Sequence, residues 1–148
     1  MNVERARLAD RPAIMNVLDG ADLSIDADTV GRRIEADTVL VAGRHSSPIG
    51  VLVAIPRPQG AHVEAIAVRR RRRNQGIGTA LMEAAADRWG RLTAAFDPAV
   101  CDFYRSLAFD VERRGERCWG ERDLNERPAS IASETAPRAT SESERDGG

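Results

Sequence analysis

Residues 62–89 constrain the fold more than any other stretch of this chain. The run His62–Val68 is apolar and β-branched and is typical of a strand, whereas the alanine-rich run Thr79–Trp89 is typical of an amphipathic helix. The turn between them is basic and contains Gly76 and Gly78. A glycine-rich turn between a strand and a helix directs backbone N–H groups and the positive end of the helix dipole at one place. The sequence therefore predicts an anion site here, most naturally for phosphate.

The segments on either side of this stretch also show strand and helix patterns. β-Branched apolar runs bounded by turn formers predict strands, and apolar residues at helical spacing behind a capping residue predict helices. The predicted order β-α-α-β-β-β-α-β-α-β-β is that of an α/β (α+β) domain built on one sheet. The predicted elements are strand Val3–Leu8, helices Asp10–Gly20 and Asp28–Ala36, strands Thr38–Gly43, Ile49–Ile55 and His62–Val68, helix Thr79–Trp89, strand Arg91–Phe96, a short helix Asp97–Leu107, and strands Phe109–Arg114 and Arg117–Asp123.

The chain divides by composition into a domain and a tail. Residues 1–124 carry the apolar periodicity, and their number suits a single domain. Residues 125–148 are dominated by Pro, Ser, Thr, Glu and Arg, and no apolar periodicity continues there. Such a segment buries too little apolar surface to offset the entropy of ordering it. We therefore predict a disordered polar C-terminal tail.

Composition excludes several classes of function. The formal net charge is −1 and no lysine is present, so no global positive field favours nucleic acid and no lysine can act as a Schiff base. Cys101, Cys118, His45 and His62 show no metal-ligand spacing, so we predict no metal site. No apolar run approaches the roughly 20 residues of a membrane span, and the N-terminus has no apolar signal core. These features predict a cytoplasmic protein without a membrane partner.

The basic turn matches one of three phosphate-binding patterns. A P-loop requires a lysine, which the chain lacks. A dinucleotide-binding fingerprint requires a third glycine, but Leu81 stands at that position and no βαβ unit surrounds the turn. What remains is Arg-x-x-Gly-x-Gly, formed by Arg73, Gly76 and Gly78. An ordinary strand-to-helix turn with solvated arginines stays open as the simpler interpretation.

The stretch Val68–Leu81 resembles the acetyl-CoA signature of the GNAT N-acetyltransferase superfamily. In that signature a strand ending in Val leads through a basic turn with [Gln/Arg]-x-x-Gly-x-[Gly/Ala] into an amphipathic helix. Phe103–Phe109 is similar to the family's Tyr-x-x-x-Gly-Phe block, and His62–Val68 to the strand that brings a carboxylate to the acceptor. The resemblance covers about Val3 to Leu124. It implies a mixed, mostly antiparallel central sheet flanked by helices, with acetyl-CoA bound where neighbouring parallel strands splay.

The resemblance implies that acetyl-CoA, as a co-substrate, contacts the end of this strand and the turn after it. The pyrophosphate would lie on backbone N–H groups of the turn, with one or two arginines adding charge. The backbone N–H of Val68 would polarise the thioester carbonyl, while Ile66 and Ala67 would line the pantetheine arm. The implied acetyl-CoA contacts are Ile66, Ala67, Val68, Arg73, Asn74, Gln75, Gly76, Ile77, Gly78 and Thr79.

Glu64 is the predicted general base. Period-2 alternation places Glu64, Ile66 and Val68 on one face of the strand, with His62 one step further out. A carboxylate there would remove a proton, directly or through a water, from the acceptor ammonium. A salt-bridged or partly exposed glutamate is an equally supported alternative, and His62 is a weaker candidate for the base.

Tyr104 is the second predicted catalytic residue. The resemblance implies that it acts as general acid towards the departing thiolate of CoA. The alternative is a packed aromatic side chain on a short amphipathic helix, although the preceding Phe103 is predicted to be the better core residue. Two positions depart from the family pattern: Ala108 replaces the usual glycine where a left-handed backbone is expected, and Asp97 replaces an asparagine.

These residues predict a single-domain N-acetyltransferase that transfers the acetyl group of acetyl-CoA to a primary amine of a small molecule or protein, by direct attack in a ternary complex. A catalytically silent acetyl-CoA-binding sensor or scaffold stays open. A nucleic-acid-binding domain using Arg69–Arg73 is less favoured, because no aromatic residues interleave with the arginines. The acceptor would be set by Asp10–Ala36 and by the turn around Gly115, which carry no recognisable code. A homodimer also stays open.

Overall fold

The computed structural model describes residues 2–21 and 25–123, so the predicted tail of residues 125–148 lies outside it, as does residue 124. Seven strands and four α-helices account for most of the described residues. They are β1 (Val3–Arg5), α1 (Arg11–Gly20), α2 (Ala27–Glu35), β2 (Val39–Arg44), β3 (Ser47–Arg57), β4 (Gly60–Val68), α3 (Ile77–Trp89), β5 (Arg91–Phe96), α4 (Cys101–Ser106), β6 (Asp110–Arg114) and β7 (Arg117–Asp123).

All seven strands form one sheet in the order β1-β2-β3-β4-β5-β7-β6. Every neighbouring pair is antiparallel except β4 and β5, which are parallel. A parallel pair needs a crossover connection, and α3 supplies it between these two strands. β4, α3 and β5 therefore form a βαβ unit around the basic turn, so the prediction that no such unit surrounds it was wrong. The element order and the mixed, mostly antiparallel sheet confirm the predicted fold class.

The sheet separates two buried clusters of apolar side chains. On one side, called here the α2 face, Ile14, Leu18 and Val30 of α1 and α2 pack on β2, β3 and β4. On the other side, called the α3 face, Leu81 and Met82 of α3 belong to a cluster that extends to α4 and β7. Within the described ranges, no helix combines the length and the hydropathy that crossing a bilayer would require.

Most element boundaries differ from the sequence prediction by one to four residues, and two of these differences have identifiable reasons. β1 ends at Arg5 instead of Leu8, because residues 8–10 turn into a short 3-10 segment before α1. α3 begins at Ile77 instead of Thr79, because Gly76 takes a left-handed conformation and becomes the N-cap. The second change matters for the site, since it brings the start of α3 directly to the basic turn.

Candidate active site

A β-bulge at Glu64 interrupts the side-chain alternation of β4. The antiparallel register pairs Val63 with Ala54 and Ala65 with Val53, so Glu64 is an extra residue between two paired ones. As a result, Val63 belongs to the core of the α3 face, whereas Ala65 belongs to the core of the α2 face. One inserted residue moves every later side chain of a strand to the opposite face.

The bulge corrects the predicted arrangement of this strand. Ile66 and Val68 pack against the core of the α3 face, whereas Glu64 reaches α2 on the opposite face. His62 lies before the bulge, where side chains still alternate. Its neighbours Ala61 and Val63 face α3, so the ring of His62 lies on the α2 face, next to Thr93. Glu64 and His62 therefore share a face, but Ile66 and Val68 do not share it with them. The prediction was wrong on this point because it assumed unbroken alternation.

β4 and β5 separate beyond the bulge. Their parallel pairing joins residues 61–63 of β4 to residues 92–94 of β5 and stops there, although both strands continue further. An opening between the two strands is therefore located at the C-terminal half of β4. It lies between the α3 face and the α2 face, so side chains of both faces border it.

Backbone N–H groups of β4 point into this opening. The Arg69 N–H donates to the Ile49 carbonyl of β3 at 2.9 Å, and an antiparallel ladder alternates the direction of successive backbone groups. The N–H groups of Val68 and Ile66 therefore point away from β3, towards the side that β5 has left. The backbone of Ala67 points to β3, so Ile66 and Val68 suit the predicted pantetheine contacts better than Ala67 does.

The turn after β4 presents backbone N–H groups at the end of the opening. Residues 70–72 form a 3-10 turn, and Asn74 and Gly76 both have left-handed backbones, with φ of 65° and 80°. No side chain caps α3. The first hydrogen bond of the helix runs from the Ala80 N–H to the Gly76 carbonyl, at 3.0 Å. The N–H groups of residues 77–79 consequently lack helical acceptors and lie at the positive end of the helix dipole. This geometry fits an anion site, and residues 70–79 are called the anion turn below.

The two glycines of the turn are needed for different reasons. A Cβ at Gly76 would meet nothing within 4 Å, so the left-handed φ, and not a lack of space, calls for glycine there. Gly78 is buried in the first turn of α3, and a Cβ on it would lie 3.3 Å from Cζ of Phe103. The space beside Gly76 is open, so this glycine suits the interpretation that the turn keeps its backbone clear for a phosphate. Gly78 has a different role, because it makes room for the Phe103 ring.

The arginine run divides into tethered and exposed guanidiniums. Arg69 folds back onto the domain, donating to the Pro48 carbonyl at 2.8 Å and to Oδ1 of Asn16 at 3.0 Å. Arg73 donates from Nε to the Val68 carbonyl at 3.2 Å, which holds its guanidinium beside the opening. The three arginines between them are exposed, as are the side chains of the next two turn residues. Arg73 is thus the guanidinium best placed to meet a phosphate.

Glu64 is ion-paired with Arg33 of α2. Its Oε1 lies 3.0 Å from Nε of Arg33, and the two side chains are 28% and 25% exposed. The salt-bridged glutamate that the sequence left open is therefore present, with a partner from a distant part of the chain. The pair is accessible from the α2 face, so it does not prevent a role for the carboxylate as base, which stays a prediction.

A second group of polar side chains lies beside the bulge on the α2 face, and sequence reasoning missed most of it. His62 Nδ1 is 2.8 Å from Thr93 Oγ1, and its ring stacks on Trp119 with centroids 5.5 Å apart. Trp119 donates from Nε1 to Glu121 at 3.0 Å, and the same carboxylate is paired with Arg91. A cavity of about 310 Å³ lies next to this group at the turn between β3 and β4, and it is lined by residues 57–61 together with Arg91, Thr93 and Trp119. The residues of this group sit on three strands and share no local sequence signal.

The surroundings of His62 favour its neutral imidazole form. Burial lowers the pKa of His62, and the positive charge of Arg57 lowers it further, against an opposing effect of Glu64. A lowered pKa leaves the imidazole able to accept a proton but makes it a weaker base, so His62 remains the weaker candidate. Within residues 2–21 and 25–123, no cluster of three or more His, Cys, Asp or Glu side chains is arranged to hold a metal ion.

Tyr104 lies in the core of the α3 face and is only 7% exposed. Its ring stacks on Phe96 with centroids 3.9 Å apart and meets Phe103 and Phe109 edge-on. Phe103 is 40% exposed, so the prediction that Phe103 is the better core residue was wrong. On α4, Tyr104 points towards Phe96 of β5, whereas Phe103 lies next to Gly78. Burial raises the pKa of Tyr104 to about 12, so its phenol is protonated at neutral pH.

The two departures from the family pattern have local structural roles. Ala108 has a φ of 69°, which confirms the expected left-handed position, and the Phe109 N–H donates back to the Tyr104 carbonyl at 3.1 Å to close α4. Asp97 accepts a hydrogen bond from the Ala99 N–H at 2.8 Å and caps the 3-10 turn that precedes α4.

Comparison with known families gives a match that spans the candidate site. A family model described as an acetyltransferase (GNAT) domain matches residues 35–111, just over half of the chain. This range contains the bulge in β4, the opening, the anion turn and α4. No curated protein matches the chain by sequence.

Solved structures with the same fold are only distantly similar in sequence. Ard1 from Thermoplasma volcanium has a TM-score of 0.72 at 14% identity, over 84% of this chain and 98% of that one. The PaiA N-acetyltransferase from Thermoplasma acidophilum, in complex with coenzyme A, has a TM-score of 0.67 at 14% identity, over 82% and 98%. The ribosomal-protein-alanine N-acetyltransferase from Brucella melitensis has a TM-score of 0.63 at 20% identity, over 84% and 100%. The neighbours establish the fold and the family model establishes the family: this chain belongs to the GNAT acetyltransferase family and is an acyltransferase.

Proposed function

We propose that this protein binds acetyl-CoA and transfers its acetyl group to a primary amine by direct attack in a ternary complex. The observation that carries the proposal is the continuity of two backbone features. The opening beside β4, into which Ile66 and Val68 point their N–H groups, leads directly to the turn formed by Arg73, Gly76 and the start of α3. One extended ligand with an anionic end and an amide-rich arm fits both features.

The backbone and one guanidinium would hold the co-substrate. Free N–H groups at the start of α3, together with Arg73, suit a pyrophosphate. The N–H groups of Ile66 and Val68 suit the amide carbonyls of a pantetheine arm, which would replace β5 as the neighbour of β4. The PaiA neighbour, solved with coenzyme A, is consistent with this choice of ligand.

The acceptor amine would enter from the α2 face, opposite to the side of the anion turn. Glu64, or a water next to it, accepts a proton from the acceptor ammonium, and the amine lone pair then attacks the thioester carbonyl. The carbon–nitrogen bond forms in the opening, because that is where the two faces of the sheet communicate. The Val68 N–H stabilises the negative charge that develops on the carbonyl oxygen, an interaction worth about 10²–10³ in rate in comparable sites.

Tyr104 would assist the departing sulfur by donating a hydrogen bond. Its pKa of about 12 lies well above the value of about 8.5 that is ordinary for a thiol. Complete proton transfer from this phenol to a thiolate is therefore unfavourable by several pKa units, whereas hydrogen-bond donation has no such cost. The thiolate takes its proton from solvent as the carbon–sulfur bond breaks.

The decisive experiment is a turnover screen with acetyl-CoA against peptides with free N-termini, polyamines, amino acids and aminoglycosides. Release of free CoA thiol should depend on one class of amine, and mass spectrometry should detect the acetylated product. Protein thiols are subtracted with a reaction that lacks amine. The proposal fails if acetyl-CoA neither binds nor raises the melting temperature.

A catalytically silent acetyl-CoA-binding module is the second candidate, and the Glu64–Arg33 ion pair is the observation that favours it. In that case acetyl-CoA raises the melting temperature but no amine accelerates thiol release. Glu64→Gln then leaves both quantities unchanged, whereas it reduces turnover in an enzyme that uses this carboxylate as base.

A further inference from the structure

Two cysteine thiols meet at the contact between α4 and β7. The Sγ atoms of Cys101 and Cys118 lie 2.8 Å apart, although the residues are separated by 17 positions in the chain. Both are free cysteines. A disulfide requires about 2.05 Å between the sulfurs, so a further approach of roughly 0.8 Å would bring them to bonding distance. This pair has no part in the acetyl-transfer proposal.

The two thiols differ in their access to solvent. Cys101 is the first residue of α4 and is half-buried, whereas Cys118 is 3% exposed in the core of the α3 face. An external reagent therefore reaches Cys101 first. Cys118 lies behind it, at the distance from which it can displace a group attached to the Cys101 sulfur.

We propose that Cys101 and Cys118 form a reversible intramolecular disulfide when the protein meets a low-molecular-weight disulfide such as oxidised glutathione. The proposal concerns a covalent modification site and holds whether or not the protein transfers acetyl groups. Its basis is the distance between the sulfurs and the difference in their exposure.

The chemistry takes place in two thiol–disulfide exchanges. The Cys101 thiolate attacks one sulfur of the small disulfide, forms a mixed disulfide and releases the first small thiol. The Cys118 thiolate then attacks the Cys101 sulfur and releases the second small thiol. The protein loses two electrons and two protons in total, and the small disulfide gains them as two thiols.

The rate of the first exchange should depend on pH. The hydrogen bond between the two thiols raises the pKa of Cys101, burial raises it further, and the guanidiniums of Arg105 and Arg113 oppose the rise. Because only the thiolate attacks, oxidation should be slow at neutral pH and faster as the pH rises towards the pKa of Cys101.

The bond would attach the start of α4 to β7. α4 carries Tyr104 in the core and Phe103 against Gly78 in the first turn of α3. Closing a loop of this length removes freedom from the unfolded chain. We expect the oxidised protein to melt about 5–10 °C above the reduced protein.

The test uses the full chain equilibrated in glutathione buffers of increasing oxidised fraction. Thiols are then blocked, and the protein is digested with trypsin without reduction. A linked pair of peptides, Leu92–Arg105 with Cys118–Arg122, should appear, and dithiothreitol should separate it. The intact monomer should lose two hydrogen atoms, and its melting temperature should rise. Because both states have the same sequence, no variant has to fold for this comparison.

Cys101→Ser supplies the matched control, since it changes the more exposed thiol and leaves Cys118 in place. This variant should give no linked peptide pair, and the oxidising buffer should not change its melting temperature. The proposal is overturned if both thiols of the natural chain remain available for alkylation in fully oxidised buffer. It is also overturned if only glutathione adducts or bonds between chains form.

Discussion

The two sides of β4 contribute to the candidate site in different ways. In the proposed site, the chemistry on the side of the anion turn would be carried by the backbone: N–H groups of Ile66 and Val68 in the opening, and a left-handed Gly76 before a helix that no side chain caps. On the α2 face it is carried by side chains held in pairs, Glu64 with Arg33 and His62 with Thr93. One side depends on the conformation of the chain, and the other on partners from distant elements.

This difference makes the two sides sensitive to different substitutions. Changes of backbone geometry or loss of an N–H should damage the side that holds the co-substrate, whereas most side-chain replacements there should matter little. The reverse is expected on the α2 face, where a single carboxylate is the predicted base. Each substitution below is chosen to affect only one side.

The largest effect is expected from Val68→Pro. The Val68 N–H points away from β3, so proline removes a donor in the opening without removing a bond of the β3–β4 ladder. We expect turnover to fall by about 10²–10³ while the fold is retained. Steady-state kinetics and the melting temperature should be measured on the same preparation.

Ala67→Pro is the matched control for this substitution. The Ala67 N–H points to β3, so proline at this position removes a ladder hydrogen bond and should lower the melting temperature more than Val68→Pro does. If Val68→Pro and Ala67→Pro lower the melting temperature equally, the assigned direction of the N–H groups is wrong. A Val68→Pro variant that folds and keeps full activity would show that the Val68 N–H does not take part in catalysis.

Glu64→Gln should give the next largest effect, a loss of about 10² in turnover at neutral pH if the carboxylate is the base. The fold should change little, because partly exposed ion pairs are worth about 0.2–1 kcal/mol. Arg33→Gln is the control: it removes the same ion pair but keeps the carboxylate. Equal loss of activity in both variants would indicate that the ion pair positions the α2 face and that Glu64 is not the base.

The same difference explains which parts of the site could be predicted. The anion turn is local: glycine spacing, the end of a strand and the start of a helix lie within one short stretch, so Gly76 and Arg73 could be found from sequence. Ala108 is a similar case, because the left-handed residue that ends a helix has a recognisable position. Local backbone chemistry leaves local signals.

The α2 face could not be predicted in the same way. The bulge at Glu64 adds one residue without any glycine or proline to mark it, and it reverses the faces of Ile66 and Val68. The pairing of Glu64 with Arg33 and the stacking of His62 on Trp119 depend on how separate elements pack. Tertiary packing also decided which aromatic residue of α4 is buried, and no pattern in such a short helix indicates that choice.

A smaller effect is expected from the two glycines, with a loss of stability at Gly76 and little net change at Gly78. Gly76→Ala forces a side chain into a left-handed backbone and should cost about 1 kcal/mol, with weaker acetyl-CoA binding because the turn shifts. Gly78→Ala gains helix propensity of up to about 1 kcal/mol, which the contact with Phe103 at 3.3 Å offsets. Urea unfolding and titration with acetyl-CoA measure both quantities.

Phe103→Ala separates these contributions further. In a Phe103→Ala background, Gly78→Ala should become clearly stabilising, since the ring that it would meet is gone. The cost of Gly76→Ala should be the same in both backgrounds. Equal effects at the two glycines would contradict the distinction between a conformational and a steric requirement.

The smallest effect at neutral pH is expected from Tyr104→Phe, which removes one hydrogen-bond donor to the departing sulfur but keeps the ring that stacks on Phe96. Tyr104 is the only tyrosine of the chain, so the tyrosinate absorbance reports it directly.

The pKa of Tyr104 is raised by burial to about 12, from about 10 in the unfolded chain, so the folded state binds the proton more tightly. Its contribution to stability, on the order of 2–3 kcal/mol, is therefore complete below about pH 10 and is lost as the pH rises through about 12. Tyr104→Phe should remove this alkaline loss, which unfolding curves at pH 8 to 11 would detect. A titration midpoint near 10 in the folded protein would contradict the burial of the phenol. A midpoint that acetyl-CoA shifts would support hydrogen-bond donation to the bound co-substrate.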